Sequence, residues 1–168
     1  MAEDARATPI PPRGRNTEAI RKTNKANVRR ILEAFNTGNT AIVDEVAHPA
    51  LVSYTPKPGC PGDREGLKKQ IVLFRQMFPD ARFEEQEIIA EGDVVHLRWK
   101  MVGTAKGEFL GRRLPEKQIT QYGQDTVRLA KGKQVEHRDT FDLMGFLDKL
   151  GVLDPAMLQQ LRDSGFRR

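Results

Sequence analysis

Apolar residues recur along this chain first with a period near 3.6 and then with a period of 2. Val28, Ile31, Leu32 and Phe35 fall at i, i+3, i+4 and i+7, the buried stripe of an amphipathic helix. Gly38 is placed to cap that helix, and Asn39 to open a short second one carrying Ile42, Val43 and Val46. A third helix is predicted from Asp63, with Leu67, Ile71, Phe74 and Phe78 on its stripe and Pro79 as its stop. Beyond Pro79 alternation takes over. "ARFEEQEIIA", "VVHLRWKMVGTA", "ITQYGQDTVRLA" and "KQVEHRDTFD" read as strands. In the second of these Val95, Leu97, Trp99 and Met101 share one face, and His96, Arg98 and Lys100 the other. "LMGFLDKLG" reads as a short helix, and Asp154-Pro155 as the start of a last one carrying Met157, Leu158 and Leu161.

Helices followed by a run of strands indicate α+β rather than α/β. There is no strand–helix alternation for a nucleotide-binding crossover and no phosphate-binding glycine fingerprint. The Pro- and Gly-rich "HPALVSYTPKPGCPG" reads as a long excursion, a length that suits a binding loop or lid.

The last two strands break the pattern in a chemically loaded way. Val135, His137, Asp139 and Phe141 share a side, so a histidine and an aspartate stand where a core is expected. A three-residue loop at Ala130-Lys131-Gly132 keeps the apolar residues of both strands on one face. That register sets Asp125 opposite His137 and Gly123 opposite Asp139, with Gly123 leaving open space. A two-residue loop would pair odd with even positions and split the apolar face. Two carboxylates and an imidazole this close can act as general acid and base. They can equally form a satisfied ion pair or a set of metal ligands.

Composition narrows the picture. The 168 residues suit one domain with tails; 38% are hydrophobic and 30% charged. The net charge of +5 is scattered rather than gathered into a stripe with interleaved aromatics, which argues against nucleic acid. Cys60 is the single cysteine, so no internal disulfide forms. No apolar run spans a bilayer and no signal-peptide core is present, so a cytoplasmic protein is expected. Residues 1–16, polar and Pro-rich, read as a disordered arm.

Several stretches carry a family resemblance: "VRRILEAFNTGNTAIVDEVAHP", Phe78-Pro79, "GEFLG", and "GKQVEHRDTFD" followed by "LDKLG". In this order and spacing, over residues 27–151, the chain resembles the SnoaL-like polyketide cyclases of the nuclear transport factor 2-like fold. It is similar in particular to the nogalonic and aklanonic acid methyl ester cyclases. The resemblance implies an α+β cone, a bent antiparallel sheet with N-terminal helices enclosing a pocket. The domain would occupy residues 17–151, with residues 152–168 a helical extension.

It also implies an enzyme without metal or organic cofactor, acting on a small hydrophobic, polyketide-like substrate by intramolecular aldol condensation. The family's catalytic aspartate falls on Asp139 and its adjacent histidine on His137. Asp139 would be general acid and base. His137 would orient it or bind the developing oxyanion, and Asp125 would fix the histidine tautomer. On the partner strand the ester cyclases carry a glutamine and a histidine where this chain has Gly123 and Asp125. Candidate pocket residues are Trp99, Phe35, Tyr54, Gln121, Phe74, Phe78 and Leu51, each also readable as core. A homodimer or larger homo-oligomer is expected from the family. Isomerase, hydrolase or hydroxylation chemistry on a related ligand, or ligand binding without catalysis, are the alternatives the same pocket allows.

Overall fold

The structure, a computed structural model, describes residues 17–109 and 111–154 and the helical positions 156, 159 and 163. The arm expected over residues 1–16 lies outside the described residues, as do Met157, Leu158 and Leu161. Asp154 Oδ1 accepts from the Ala156 amide at 2.8 Å, the cap expected where the last helix starts.

Three helices come early: α1 (Glu18–Thr37), α2 (Ala41–Val46) and α3 (Arg64–Met77). Their ends follow the sequence signals. Gly38 adopts φ 77° and its amide bonds Ala34 O, closing α1 with a left-handed cap. Asn39 Oδ1 accepts from the Ala41 amide at 3.1 Å, although Thr40 occupies the capping position of α2. Asp63 Oδ1 accepts from the Gly66 amide at 2.7 Å and opens α3, which stops just before Phe78-Pro79.

Between α2 and α3 the chain forms β1 (Ala47–Ser53), where a loop was expected. The strands β2 (Arg82–Glu91) and β3 (Val94–Thr104) follow, then a small hairpin of β4 (Glu108–Phe109) and β5 (Arg112–Arg113). The long strands β6 (Gln118–Ala130) and β7 (Lys133–Phe141) and the helix α4 (Leu143–Lys149) complete the described fold. The main sheet runs β1-β7-β6-β3-β2. It is mixed rather than antiparallel, because β1 runs parallel to β7. Histidine, proline and short apolar runs hide β1 in the sequence. Its pairing comes from a strand more than 80 residues away, as in Ser53 with His137.

One face of the sheet is apolar and covered by helices. Val95, Leu97, Trp99 and Met101 are buried on it, as the alternation of β3 predicts. Each fully buried side chain of this size contributes about 1.5–3 kcal/mol. Irregularities between Glu85 and Glu87 on β2 and beside Leu129 on the β6–β7 pairing bend the sheet. Two buried asparagines fasten α1 to the hairpin turns. Asn24 donates to Gly92 O at 3.2 Å, and Asn27 donates to Gly132 O at 2.6 Å and Val46 O at 3.0 Å. Asn27 also accepts from Gln134 Nε2 at 3.0 Å, so these buried polar groups are partnered.

The β6–β7 register corrects the expectation. Ala130 pairs with Lys133, which leaves a two-residue loop, Lys131-Gly132, at φ 51° and 74°. Those are the paired positive φ values that the tightest hairpin turns require. The pairing then shifts between Arg128–Glu136 and Leu129–Gln134, leaving Val135 as an extra residue. That bulge restores odd-to-odd pairing and removes the objection to a two-residue loop. Asp125 therefore faces Asp139, Val127 faces His137, and Gly123 faces Phe141.

Candidate active site

The shifted register keeps Asp125, His137 and Asp139 on one face but places two carboxylates directly opposite each other. Directly opposed Cβ atoms stand about 4.5–5.5 Å apart, a repulsive arrangement unless each charge is answered. Each carboxylate has its own partner.

Asp125 is held by its sheet neighbours. Its Oδ1 accepts from Trp99 Nε1 at 3.2 Å and lies 3.7 Å from His137 Nε2. The other ring nitrogen, His137 Nδ1, is 3.1 Å from Ser53 Oγ on the parallel strand β1. The imidazole thus bridges a hydroxyl and a carboxylate. It also borders a hollow lined by Ser53, Pro56, Pro61, Leu67 and Gln70.

Asp139 is answered from outside the hairpin. Its Oδ2 is ion-paired with the Lys57 ammonium, and its amide donates to Thr55 Oγ1 at 2.9 Å. Both residues belong to the 54–63 loop that follows β1. The Asp139 side chain is only 8% exposed, and among the described residues its Oδ1 has no hydrogen-bond partner. Lys57 Nζ lies 4.9 Å from the centre of the Phe141 ring, a cation–π contact that fixes its position. The loop is tied down by Tyr54 N to His137 O at 2.9 Å and Ser53 N to Gly62 O at 2.8 Å. Lys57 was missed in the sequence. The excursion that bears it was noted there as a binding loop, and its charge between two prolines was the only further signal.

Gly123 leaves no open space. A Cβ there would stand 2.2 Å from Trp99 Cζ2, because the indole of the facing strand lies flat across the glycine. That overlap brings Nε1 to Asp125. The candidate pocket residues divide. Trp99, Phe74 and Phe78 belong to a closed circuit of rings with Phe83, Phe141 and Phe146, consecutive centroids 5.1–6.3 Å apart. Phe78 and Trp99 are buried, and the other four are partly accessible. Phe35 packs on Phe74 and Phe83 from α1, and Leu51 is buried in the second core cluster with it. Gln121 is buried farther along the same face, accepting from Lys149 Nζ at 3.2 Å. Tyr54 is not brought to the others. It is 45% exposed, with Arg138 stacked on its ring on the outer side of β7.

His96 faces outward, 3.3 Å from Thr126 Oγ1, and His48 accepts from the Ala50 amide, so neither reaches the two aspartates. Among the described residues no group of three or more His, Cys, Asp or Glu is arranged to hold a metal ion. No helix of the described residues is long and apolar enough to cross a membrane.

Comparison with known proteins places this arrangement among relatives. The family model described as SnoaL-like polyketide cyclase matches residues 25–150. Aklanonic acid methyl ester cyclase DnrD of Streptomyces peucetius is 28% identical over 130 residues, covering 74% of this chain and 88% of the relative. Nogalonic acid methyl ester cyclase of Streptomyces nogalater is 29% identical over 123 residues, covering 72% and 92%. The solved structure of TsrD from Streptomyces laurentii shares the fold with a TM-score of 0.71 at 24% identity, over 79% of this chain and 98% of that one.

Proposed function

The chain belongs to the SnoaL-like polyketide cyclase family, and we propose that it closes a ring in a polyketide-type substrate by intramolecular aldol condensation, with Asp139 as the base and then the acid. One observation carries this reading: Asp139 Oδ1 is buried on the ring-lined face with no partner among the described residues, while Oδ2 is held by a cation. A buried carboxylate oxygen is costly to leave unpartnered unless its role is to meet something.

The steps balance without an added reactant. Asp139 Oδ1 takes a proton from a carbon flanked by a ketone and an ester, and the C–H electron pair spreads over the enolate. The enolate carbon attacks a second carbonyl of the same molecule, forming the new C–C bond and leaving an alkoxide. The Asp139 carboxyl then returns its proton to that oxygen. The partly accessible rings of the circuit, Phe74, Phe83, Phe141 and Phe146, suit a flat, multi-ring ligand. His137, between Ser53 and Asp125, orients the wall beside Asp139 rather than touching it. The 54–63 loop covers Asp139 and brings Lys57 and Thr55 to it.

A second reading keeps the pocket and changes the reaction. It is favoured by Asp125, which stands where the resemblance implies a histidine. Incubation with aklanonic or nogalonic acid methyl ester separates the two. Ring closure yields an isomer of unchanged mass, whereas hydrolysis or hydroxylation alters the mass. Recovery of both esters unchanged under saturating protein would sink the cyclase reading for these substrates. Loss of ring closure in Asp139→Asn, with the circular dichroism spectrum retained, is the expected result for the aspartate.

A further inference from the structure

We infer that Lys57 is a second catalytic residue of this site: its ammonium binds the oxyanion that forms when Asp139 takes the substrate proton. The inference rests on the cyclase reading of Asp139 and extends it to the atom that receives the displaced charge.

Proton transfer to Asp139 does not remove negative charge from the site. It moves the charge from the carboxylate to the enolate oxygen a few ångströms away. Asp125, directly across the hairpin, is also a carboxylate, and its neighbours Trp99 and His137 are already committed to it. The new anion therefore needs a cation within reach of Asp139. Lys57 is the residue ion-paired with Asp139. Arg138, next in sequence, points to the outer side and stacks on Tyr54.

The geometry of Lys57 suits the task. An ammonium has three donors. One meets Asp139 Oδ2, and a second reaches Thr55 O at a long 3.5 Å. The third is uncommitted among the described residues. The Phe141 ring beneath the ammonium holds it in place before substrate arrives. A donor preorganised where charge develops is the arrangement that lowers an enolate barrier, and it is strongest in a dry site. The ligand class follows: a carbon acid whose enolate or phenolate oxygen lies beside the ionisable position. A purely structural ion pair would instead leave Lys57 indifferent to the charge of what binds.

The test needs no turnover, so it can fail separately from the cyclase reading. Asp139→Asn mimics the protonated carboxyl. 2-Naphthol and its uncharged methyl ether are titrated into the Asp139→Asn and Asp139→Asn/Lys57→Met proteins near the naphthol pKa, with absorbance distinguishing bound naphthol from naphtholate. The Asp139→Asn protein is expected to bind naphtholate. Adding Lys57→Met is expected to weaken naphtholate at least 10-fold while the methyl ether changes less than 2-fold. Equal loss of both probes, no loss, or no naphtholate bound by the Asp139→Asn protein overturns the inference. In the turnover assay with aklanonic acid methyl ester, Lys57→Met alone should lower kcat by about 10²–10³-fold with KM little changed, and Lys57→Arg should recover part of it. A kcat for Lys57→Met within 3-fold of wild type also overturns it.

Discussion

Asp125 and Asp139 face each other across one hairpin, carry the same charge and differ in nearly everything else. Asp125 is fixed by groups of its own sheet: an indole N–H from β3 and an imidazole from β7. Asp139 is buried more deeply and is answered by one lysine on a loop that begins more than 80 positions earlier. One carboxylate has its hydrogen-bonding needs met by rigid strands. The other has one oxygen without a partner among the described residues and is paired with a loop residue instead of a strand. In a cross-strand pair of like charges, the fixed member holds the wall and the incompletely satisfied member is available for chemistry.

Breaking this asymmetry at Asp139 should have the largest effect. Asp139→Asn is expected to lower kcat by at least about 10³-fold, roughly 4 kcal/mol of transition-state stabilisation. Thermal unfolding should move little, because the amide oxygen of the substituted side chain can still accept from the Lys57 ammonium. A variant that kept a tenth of the wild-type kcat would place the proton transfer elsewhere. Next in size is Gly123→Ala. The new methyl would have to displace the Trp99 indole, an overpacking cost of about 1–3 kcal/mol. It would also pull Nε1 away from Asp125. Denaturant unfolding should show the loss of stability, and tryptophan emission should report a changed environment.

The contrast also explains what the sequence could and could not reveal. Alternation placed Asp125, His137 and Asp139 on one face, and the bulge at Val135 preserved that sharing even though the pairing moved by two residues along the ladder. A face is set by the period of two, which residues carry individually. A register depends on turn conformation and on one inserted residue, and Lys131 at positive φ is not a turn signal the residue type advertises. Gly123 was read as space because the indole that fills it comes from another strand. Lys57 was beyond reach for the same reason in stronger form. Its partnership depends on β1 lying parallel to β7, a long-range pairing hidden in a segment rich in proline and glycine.

A smaller effect is expected at the fixed carboxylate. Asp125→Asn retains an oxygen to accept from Trp99 Nε1 and removes the charge beside His137. The expected loss in kcat is about 10-fold, near 1.4 kcal/mol, far below that of Asp139→Asn. Parallel steady-state kinetics on the two Asn variants measures the asymmetry directly. Losses of equal size would mean that the two aspartates act as one unit, and the division of roles would fail.

The finest test lies at Ser53. With His137 Nε2 turned toward the Asp125 carboxylate, the tautomer with its proton on Nε2 is favoured, so Nδ1 accepts from the Ser53 hydroxyl at 3.1 Å. Ser53→Ala removes that donor and leaves a partly buried ring nitrogen unpaired, a cost of about 0.5–1.5 kcal/mol. The strand pairing itself should survive, since the neighbouring Tyr54 amide still donates to His137 O at 2.9 Å. Melting temperature should fall by a few degrees, and kcat by a few-fold at most, because the imidazole orients the wall and does not carry the substrate proton. Restoration of both by Ser53→Thr, which keeps the hydroxyl, would tie the effect to that hydrogen bond. A drop in kcat rivalling that of Asp139→Asn, at unchanged stability, would move the reaction centre from the lysine-paired carboxylate to the histidine.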